Sequence, residues 1–406
     1  MNVVQTLRQR SELQPGVPAL IDPGLSGDRI LTYSGLNRLV DYLSFDLREK
    51  NFGAGDRLLI GISPSQEMYA YLLAALEIGA IPILCDRASP HDEFIEWVSA
   101  LEPKGCVIPR RGWVVAHFDG VLKNIPSKIF VGRVRSQARW LRLGKLGALE
   151  ERPAKSPALI LLVHELSNHL SIRVWSQEQL QESIQFMVTQ LKLKAGEIDL
   201  CASPLQLLSN LAAGLTSMIA TRSGRNLSRQ VEKFKPTRIA ADSQIVGRLL
   251  RKPGSPLHKV FITDAPIEQK EADYFADCIQ RGNIDLVFCS DLPLASLALK
   301  EYERNENATL IGSFFPPVEA RVSIRDAAES SPDVSPSSPD GAQPQKIGEL
   351  LVRGPFLPDR RTLESLAKEG VAEVTSSEDE WRAIGVFGYF DEESRFWMTE
   401  RAGVQF

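Results

Sequence analysis

The apolar residues between residue 30 and about residue 290 follow two alternating patterns. Leu36, Leu39, Leu43 and Leu47 recur every three or four positions, which predicts a helix. Residues 58–62 (LLIGI) instead form a short continuous apolar run, which is typical of a buried strand. The same patterns predict further helices over 65–78, 177–193, 207–220 and 267–281, and further strands over 81–84, 158–163, 199–202, 259–262 and 284–288.

This alternation predicts an α/β protein with stacked, largely parallel sheets and flanking helices, because right-handed crossovers return successive strands to one sheet. After residue 308, no helical segments separate the apolar runs, which favours a small antiparallel β subdomain. Its predicted strands are 310–311, 318–324, 348–352 and 381–398. Residues 327–346, rich in Ser and Pro, predict a disordered insertion. We therefore expect α/β subdomains at 1–156 and 157–308 and a β-rich subdomain at 309–406.

Composition and charge narrow the classes of function. The 406 residues are 43% hydrophobic and 24% charged, as in globular proteins. The net charge of −4 gives no global basic field for nucleic acid. Five cysteines without a CxxC pair or a Cys/His cluster predict buried thiols in a reducing compartment and no zinc site. Without a signal peptide or an uninterrupted apolar span, the sequence predicts a cytoplasmic protein with no membrane insertion.

One segment departs from this acidic balance. From Lys123 to Lys145 the chain carries seven Lys and Arg residues and no Asp or Glu. These cations fit a solvated connector, but they also fit a docking surface for an acidic partner such as an acyl carrier protein or another pathway enzyme. A single basic strip in an acidic chain is a poor footprint for nucleic acid.

A series of motifs in collinear order resembles the adenylate-forming superfamily of acyl- and aryl-CoA synthetases, adenylation domains and luciferases. Similar motifs cover nearly the whole chain. They are LTYSGL (31–36), FGAGDRL (52–58), LEIGAIP (76–82), ALIL (158–161), TDAP (263–266), GELLVRGP (348–355) and GVFGYFD (385–391). The resemblance implies the fold of that family's large N-terminal domain and, in its active members, formation of an acyl-adenylate from a carboxylic acid and ATP.

The residues that serve ATP in the family are replaced here. The family's Gly- and Lys-containing phosphate loop corresponds to residues 162–172, where His164, Glu165, Asn168 and Ser171 stand at its Ser, two Gly and Lys positions. Glycine allows a backbone to approach phosphates closely, and Glu165 would add negative charge beside them. We expect no phosphate binding by this loop.

Other family positions change in the same direction. The segment serving phosphate and magnesium has Asp291 and Leu292, and the family's ribose-binding Asp is replaced by Val386. Arg401 matches the family's Arg near the hinge. Because the sequence stops at Phe406, we expect the family's C-terminal lid domain and its catalytic Lys to be absent. His164, Glu165 and His169 do not have the spacing of an HExxH zinc helix, so no metal site is predicted.

The leading hypothesis is therefore a noncatalytic member of this family, with no ATP or magnesium, that acts as a partner or as an acyl or aryl ligand binder in a carrier-protein-dependent pathway. The candidate pocket residues lie near predicted strand ends, where α/β sheets bind ligands. They are Gln206, Leu207, Asp264, Ser290 and Asp291. The alternative is an active ligase, acting on CoA or a carrier protein with ATP and magnesium, or an ATP-independent acyltransferase, completed by a second polypeptide.

Overall fold

The computed structural model describes most of the chain. The described residues are 3–23, 27–85, 91–109, 124–131, 149–164, 170–201, 203–220, 224–250, 257, 259–265, 267–278, 283–288, 294–304, 308–323, 347–361 and 380–399. They form two compact units. The first comprises Met1–Val188, Leu208–Ile219 and Phe356–Ser376, and the second comprises Thr189–Leu207, Ala220–Pro355 and Ser377–Phe406.

The elements of the described residues follow the predicted strand and helix alternation. The helices are α1 Val3–Leu13, α2 Tyr33–Glu49, α3 Gln66–Glu77, α4 His91–Leu101, α5 Gln177–Gln190, α6 Pro204–Ala213, α7 Gly224–Phe234, α8 Ser243–Leu250 and α9 Gln269–Cys278. The strands are β1 Pro18–Asp22, β2 Arg29–Thr32, β3 Arg57–Ile60, β4 Ile81–Cys85, β5 Gly105–Pro109, β6 Ser127–Val131, β7 Pro157–His164, β8 Leu170–Ser176, β9 Ile198–Cys201, β10 Thr216–Ile219, β11 Arg238–Ala241, β12 Lys259–Ala265, β13 Asn283–Phe288, β14 Ala295–Ala298, β15 Ala308–Phe314, β16 Glu319–Ser323, β17 Gly348–Arg353, β18 Asp359–Arg361, β19 Arg382–Phe390 and β20 Phe396–Thr399.

The first unit contains a sheet with the order β18-β8-β7-β4-β3-β5-β6. Strands β7, β4, β3, β5 and β6 are parallel, and β8 and β18 add an antiparallel margin. Helix α4 covers this sheet with Phe94, Trp97, Val98 and Leu101, which belong to one buried apolar cluster with residues of β3, β4, β5, β7 and β8. Burial on both faces explains why these strands appear in the sequence as continuous apolar runs.

Helices α2 and α3 begin where the sequence provides a capping side chain. Thr32 Oγ1 accepts a hydrogen bond from the amide of Gly35, and Ser65 Oγ accepts one from the amide of Met68. The turn after α3 passes through Gly79 at φ +70°, and a Cβ there would lie 3.0 Å from Glu150 Cγ. Glycine therefore suits the turn of the LEIGAIP motif because of its backbone angle, and a Cβ there would also force the side chains of Glu150 and Arg152 to shift.

The second unit has parallel strands in the order β13-β12-β11-β9. Strands β14, β15, β16, β17, β19 and β20 pair antiparallel. The predicted α/β class with largely parallel cores and an antiparallel segment is thus confirmed. The division into segments 1–156, 157–308 and 309–406 stays a prediction, and the expected insertion at 327–346 lies outside the described residues.

The predicted helix over residues 207–220 is wrong in its second half. Helix α6 ends at Ala213, and residues 216–219 form β10, which pairs parallel with β1. Gly214 adopts φ +82°, a left-handed conformation that ends a helix, and Arg10 donates two hydrogen bonds to the carbonyl of Ala212. The single predicted strand over 381–398 is likewise two strands, β19 and β20, joined by a turn at Asp391.

Candidate functional site

The segment at the family's phosphate-loop position is an antiparallel hairpin. Strands β7 and β8 pair along their length, and the last two pairs before the connection are Val163 with Ser171 and His164 with Leu170. Glu165 and Asn168 fall between these strands and lie outside the described residues, as do the side chains of His164 and Ser171. The backbone of Ser171, at the family's Lys position, thus takes part in a regular ladder only two residues after the connection.

The hairpin is fixed to the following helix by a buried hydrogen-bonded chain. The indole Nε1 of Trp175 donates to Ser183 Oγ at 3.0 Å, and Ser183 Oγ donates to the carbonyl of Phe356 at 2.8 Å. Ser176 and Gln179 form a reciprocal capping box at the start of α5. Because these groups are buried and already hydrogen-bonded to one another, they hold β8 in place rather than offering contacts to a ligand.

The carboxyl ends of the parallel strands in the second unit carry the other candidate residues. Asp264 lies in β12 between Ile262 and Ala265, where the pairing with β13 shifts register, and its side chain is outside the described residues. Ser290, Asp291 and Leu292 follow β13 and also lie outside them. The edge itself is the one at which open α/β sheets bind ligands.

Gln206 and Leu207 lie in the first turns of α6, which begins just after β9 with Ser203 as its cap. Leu207 is fully buried. The side chain of Gln206 is also buried, and its Nε2 donates to Asp199 Oδ2 at 2.7 Å. This hydrogen bond connects α6 to the strand that precedes it.

Asp199 belongs to a buried charged cluster at the amino ends of the parallel strands. It is in register with Arg238, and Arg238 Nε lies 3.4 Å from Asp199 Oδ1. Arg238 also contacts Glu197 Oε2 at 3.2 Å, donates to the carbonyl of Leu191 at 3.0 Å, and stacks over the ring of Phe261. These contacts compensate the guanidinium for its loss of water.

Glu197 completes this cluster by joining Arg238 to Lys259, whose Nζ lies 2.9 Å from Glu197 Oε1. Partial burial disfavours the charged carboxylate, but the hydrogen bonds from Lys259 and Arg238 outweigh burial and lower the pKa of Glu197. Sequence analysis missed this cluster. Its local signal is that an Arg and a Lys occupy the first position, and an Asp the second position, of three largely apolar strands.

Val386 lies in the irregular part of β19. The register against β17 shifts between Glu349 and Leu351, and Gly385 adopts φ +73°. The side chain of Val386 is 5% exposed and contributes to the core of the β-rich part. An isopropyl group accepts no hydrogen bonds. Position 386, which the sequence resemblance aligned with the family's ribose-binding Asp, is thus a buried apolar side chain.

The remaining predicted residues are only partly described. Arg401 lies outside the described residues, as does most of the basic segment from Lys123 to Lys145. Lys128 of this segment is exposed on β6. Of the cysteines, Cys106 and Cys201 are buried thiols, and burial raises the pKa of Cys106 to about 11. Among the described residues, no helix is long and apolar enough to cross a membrane.

Comparison with known proteins places this geometry in context. Residues 7–160 match the AMP-binding enzyme family. An olefin beta-lactone synthetase of Stenotrophomonas maltophilia is 24% identical over 98% of this chain and 79% of its own length.

Solved structures extend the similarity in fold to nearly the whole chain. A fatty acyl CoA synthetase of Mycobacterium tuberculosis matches with a TM-score of 0.76 at 16% identity, over 98% of this chain and 78% of that one. The N-terminal domain of FACL13 from the same organism matches with a TM-score of 0.75 at 15% identity, over 98% of this chain and 100% of that one.

Proposed function

We propose that this member of the adenylate-forming superfamily of AMP-binding enzymes is noncatalytic. Its membership is supported by the sequence of residues 7–160 and by a fold that resembles the family's N-terminal domain over nearly the whole chain. It keeps the large-domain fold and binds an acyl or aryl ligand, or a pathway partner, without ATP-dependent ligation. No ATP or magnesium takes part in this function.

The single observation that carries the proposal is the buried Val386. A nucleotide bound in the family's manner presents its ribose hydroxyls as donors, and a buried valine gives them no acceptor. Polar groups left without partners in a desolvated site cost about 1–3 kcal/mol each, and a discrimination of this size is difficult to recover elsewhere. Valine at this position therefore disfavours the nucleotide while stabilising the fold.

The described polar groups near the sheet edges support the same conclusion. The amide of Gln206 is engaged with Asp199, and Asp199 lies in the cluster of Arg238. These groups hold α6 and the parallel strands together. Of the candidate residues whose side chains the structure describes, Gln206 is thus already engaged within the fold, and Leu207 is a buried apolar side chain, as suits a site for an acyl or aryl chain.

The experiment combines two measurements on the purified chain. Isothermal titration of ATP with magnesium up to 5 mM should give no heat of binding, and no pyrophosphate should be released with fatty, aromatic or 3-hydroxy carboxylic acids. A full-length acyl-CoA ligase run in parallel controls both assays. Pyrophosphate release that depends on both the acid and the chain would overturn the proposal.

Ligand binding is tested separately by thermal shift with the same acids and their thioesters. A ligand that binds only the folded chain stabilises it by about 2.7 kcal/mol at a hundred times its dissociation constant. A shift with one acyl or aryl class and not with acetate would support the proposed ligand. The absence of any shift, together with failure to retain acyl carrier protein, would remove the proposed binding function.

A second candidate function is carboxylate activation or acyl transfer completed by a second polypeptide. Two observations favour it: the relative named olefin beta-lactone synthetase matches over nearly the whole chain, and the basic segment from Lys123 to Lys145 could attract an acidic carrier protein. Acyl transfer from acyl-thioesters, with and without candidate partners, tests it. The expected result is acyl transfer that requires a partner, together with retention of an acyl carrier protein that weakens between 50 and 500 mM salt. No transfer under any condition removes this candidate.

A further inference from the structure

Helix α2 carries a polar and aromatic stripe on its outward side, formed by Arg38, Tyr42, Phe45 and Glu49. Spacings of four, three and four residues place these side chains on one line along the helix. Phe45 is 50% exposed, Arg38 and Glu49 are exposed, and Tyr42 is partly exposed. The stripe therefore presents two aromatic rings to solvent between a cation at one end and an anion at the other.

The stripe is complementary to itself. The midpoint between Arg38 and Glu49 coincides with the midpoint between Tyr42 and Phe45, and both lie between residues 43 and 44. If a second copy of the helix packs antiparallel about a two-fold axis through this point, Arg38 faces Glu49 of the other copy at both ends. Tyr42 then faces Phe45 of the other copy twice, which brings four aromatic rings together at the centre.

We propose that α2 forms an isologous interface with the α2 helix of a second copy of this chain. Charge complementarity selects the antiparallel orientation, because a parallel pair would place Arg38 against Arg38 and Glu49 against Glu49. Glu49 is also the last residue of α2, where the helix dipole disfavours an anion, so a cation from the second copy improves its environment. Hydrogen bonds from Arg38 to the carbonyl and hydroxyl of Ser34, both 3.2 Å, hold the guanidinium near its own helix.

The size of the surface sets the expected strength. Glu49 lies eleven positions after Arg38, so the stripe is about 16 Å long. A single helix pair of this length buries less than the roughly 1,200 Å² of a standard stable interface. We therefore expect reversible self-association with a dissociation constant on the order of 10–100 µM.

Sedimentation velocity on the full chain, from about 1 to 300 µM, tests the interface. The wild-type chain should shift from monomer to dimer over this range, and 0.5 M salt should weaken the dimer. Arg38→Glu alone and Glu49→Arg alone each place like charges at both ends, and each should raise the dissociation constant at least about tenfold. The double variant Arg38→Glu/Glu49→Arg restores opposite charges and should dimerise as the wild type does.

Two further variants separate this interface from general surface hydrophobicity. Phe45→Asp should abolish the dimer, whereas Phe130→Asp on β6 should leave it unchanged, because Phe130 is equally exposed at 50% and lies outside the stripe. Circular dichroism at each variant's working concentration checks that it remains folded. A wild-type chain that is monomeric at 300 µM, a dimer that survives Phe45→Asp, or a double variant no better than the single variants would each overturn the proposal.

Discussion

Asp199 and Arg238 occupy matching positions on adjacent parallel strands, and each side chain is only 1% exposed. Arg238 also contacts Glu197 and the carbonyl of Leu191, while Asp199 accepts a hydrogen bond from the side-chain amide of Gln206. This pair thus connects β9, β11 and the start of α6. Two of these elements end at the edge where we place the candidate ligand site.

Removing the guanidinium should therefore be costly. Arg238→Met leaves Asp199 buried beside an apolar side chain, and we expect a loss of about 3–5 kcal/mol in the free energy of unfolding, measured by urea denaturation. Lys259→Met is the matched control, because Lys259 contacts the same Glu197 but is 35% exposed, and it should cost at most about 1 kcal/mol. Equal losses for the two variants would contradict this account of the cluster.

Glu77 gives a prediction about pH. Its carboxylate is fully buried at the end of α3, where it accepts hydrogen bonds from Arg8 at 2.6 Å and Ser44 at 3.0 Å. Burial raises the pKa of Glu77 above the usual 4.5, although the charge of Arg8 opposes this shift. The folded chain thus holds the proton more tightly than the unfolded chain does.

The direction of the pH dependence of stability follows from this difference in proton affinity. The stabilisation due to protonation of Glu77 is fully present below about pH 4.5 and is lost as pH rises through the higher native pKa. The stability of the wild type relative to Glu77→Gln should therefore fall between pH 4.5 and neutral pH, as measured by urea unfolding at each pH. If the wild type instead became more stable relative to Glu77→Gln as the pH rises, the native pKa of Glu77 would be lowered.

Ser183 should be important for the packing of the β7–β8 hairpin. Ser183→Ala removes the acceptor of Trp175 Nε1 and the donor to the Phe356 carbonyl, so we expect a loss of about 2–3 kcal/mol. Fluorescence of Trp175 should shift in the variant, since its indole loses a buried partner. Ser11→Ala, which removes a single partly exposed hydrogen bond within α1, is the control and should cost less than about 1 kcal/mol.

Val386→Asp tests the proposal that the buried valine at this position disfavours a nucleotide. A carboxylate at this buried site should destabilise the chain by at least about 2 kcal/mol more than the similarly shaped Val386→Asn at pH 7, and the difference should shrink as the carboxyl becomes protonated in acid. Thermal unfolding at pH 4 and pH 7 measures both effects. If Val386→Asp is as stable as Val386→Asn and binds ATP with magnesium, the pocket has retained its other nucleotide contacts.

Local patterns were sufficient for much of the fold. The apolar spacing of α2 and the continuous apolar run at β3 each depend on residues close together in the chain, so the sequence alone predicts them. The family's motif positions are also local, which is why the valine at position 386 could be recognised before its burial was known.

The tertiary structure decided features that depend on residues distant in sequence. Residues 216–219 form a strand rather than the end of a helix because β1, about 200 positions earlier, provides a parallel partner. The amide of Gln206 is hydrogen-bonded to Asp199 because α6 packs back onto β9. The buried charge of Asp199 is compensated because β11 brings Arg238 beside it. Periodicity along a sequence reports which face of an element is apolar, but only packing determines which polar group meets which, and therefore which side chains a ligand can reach.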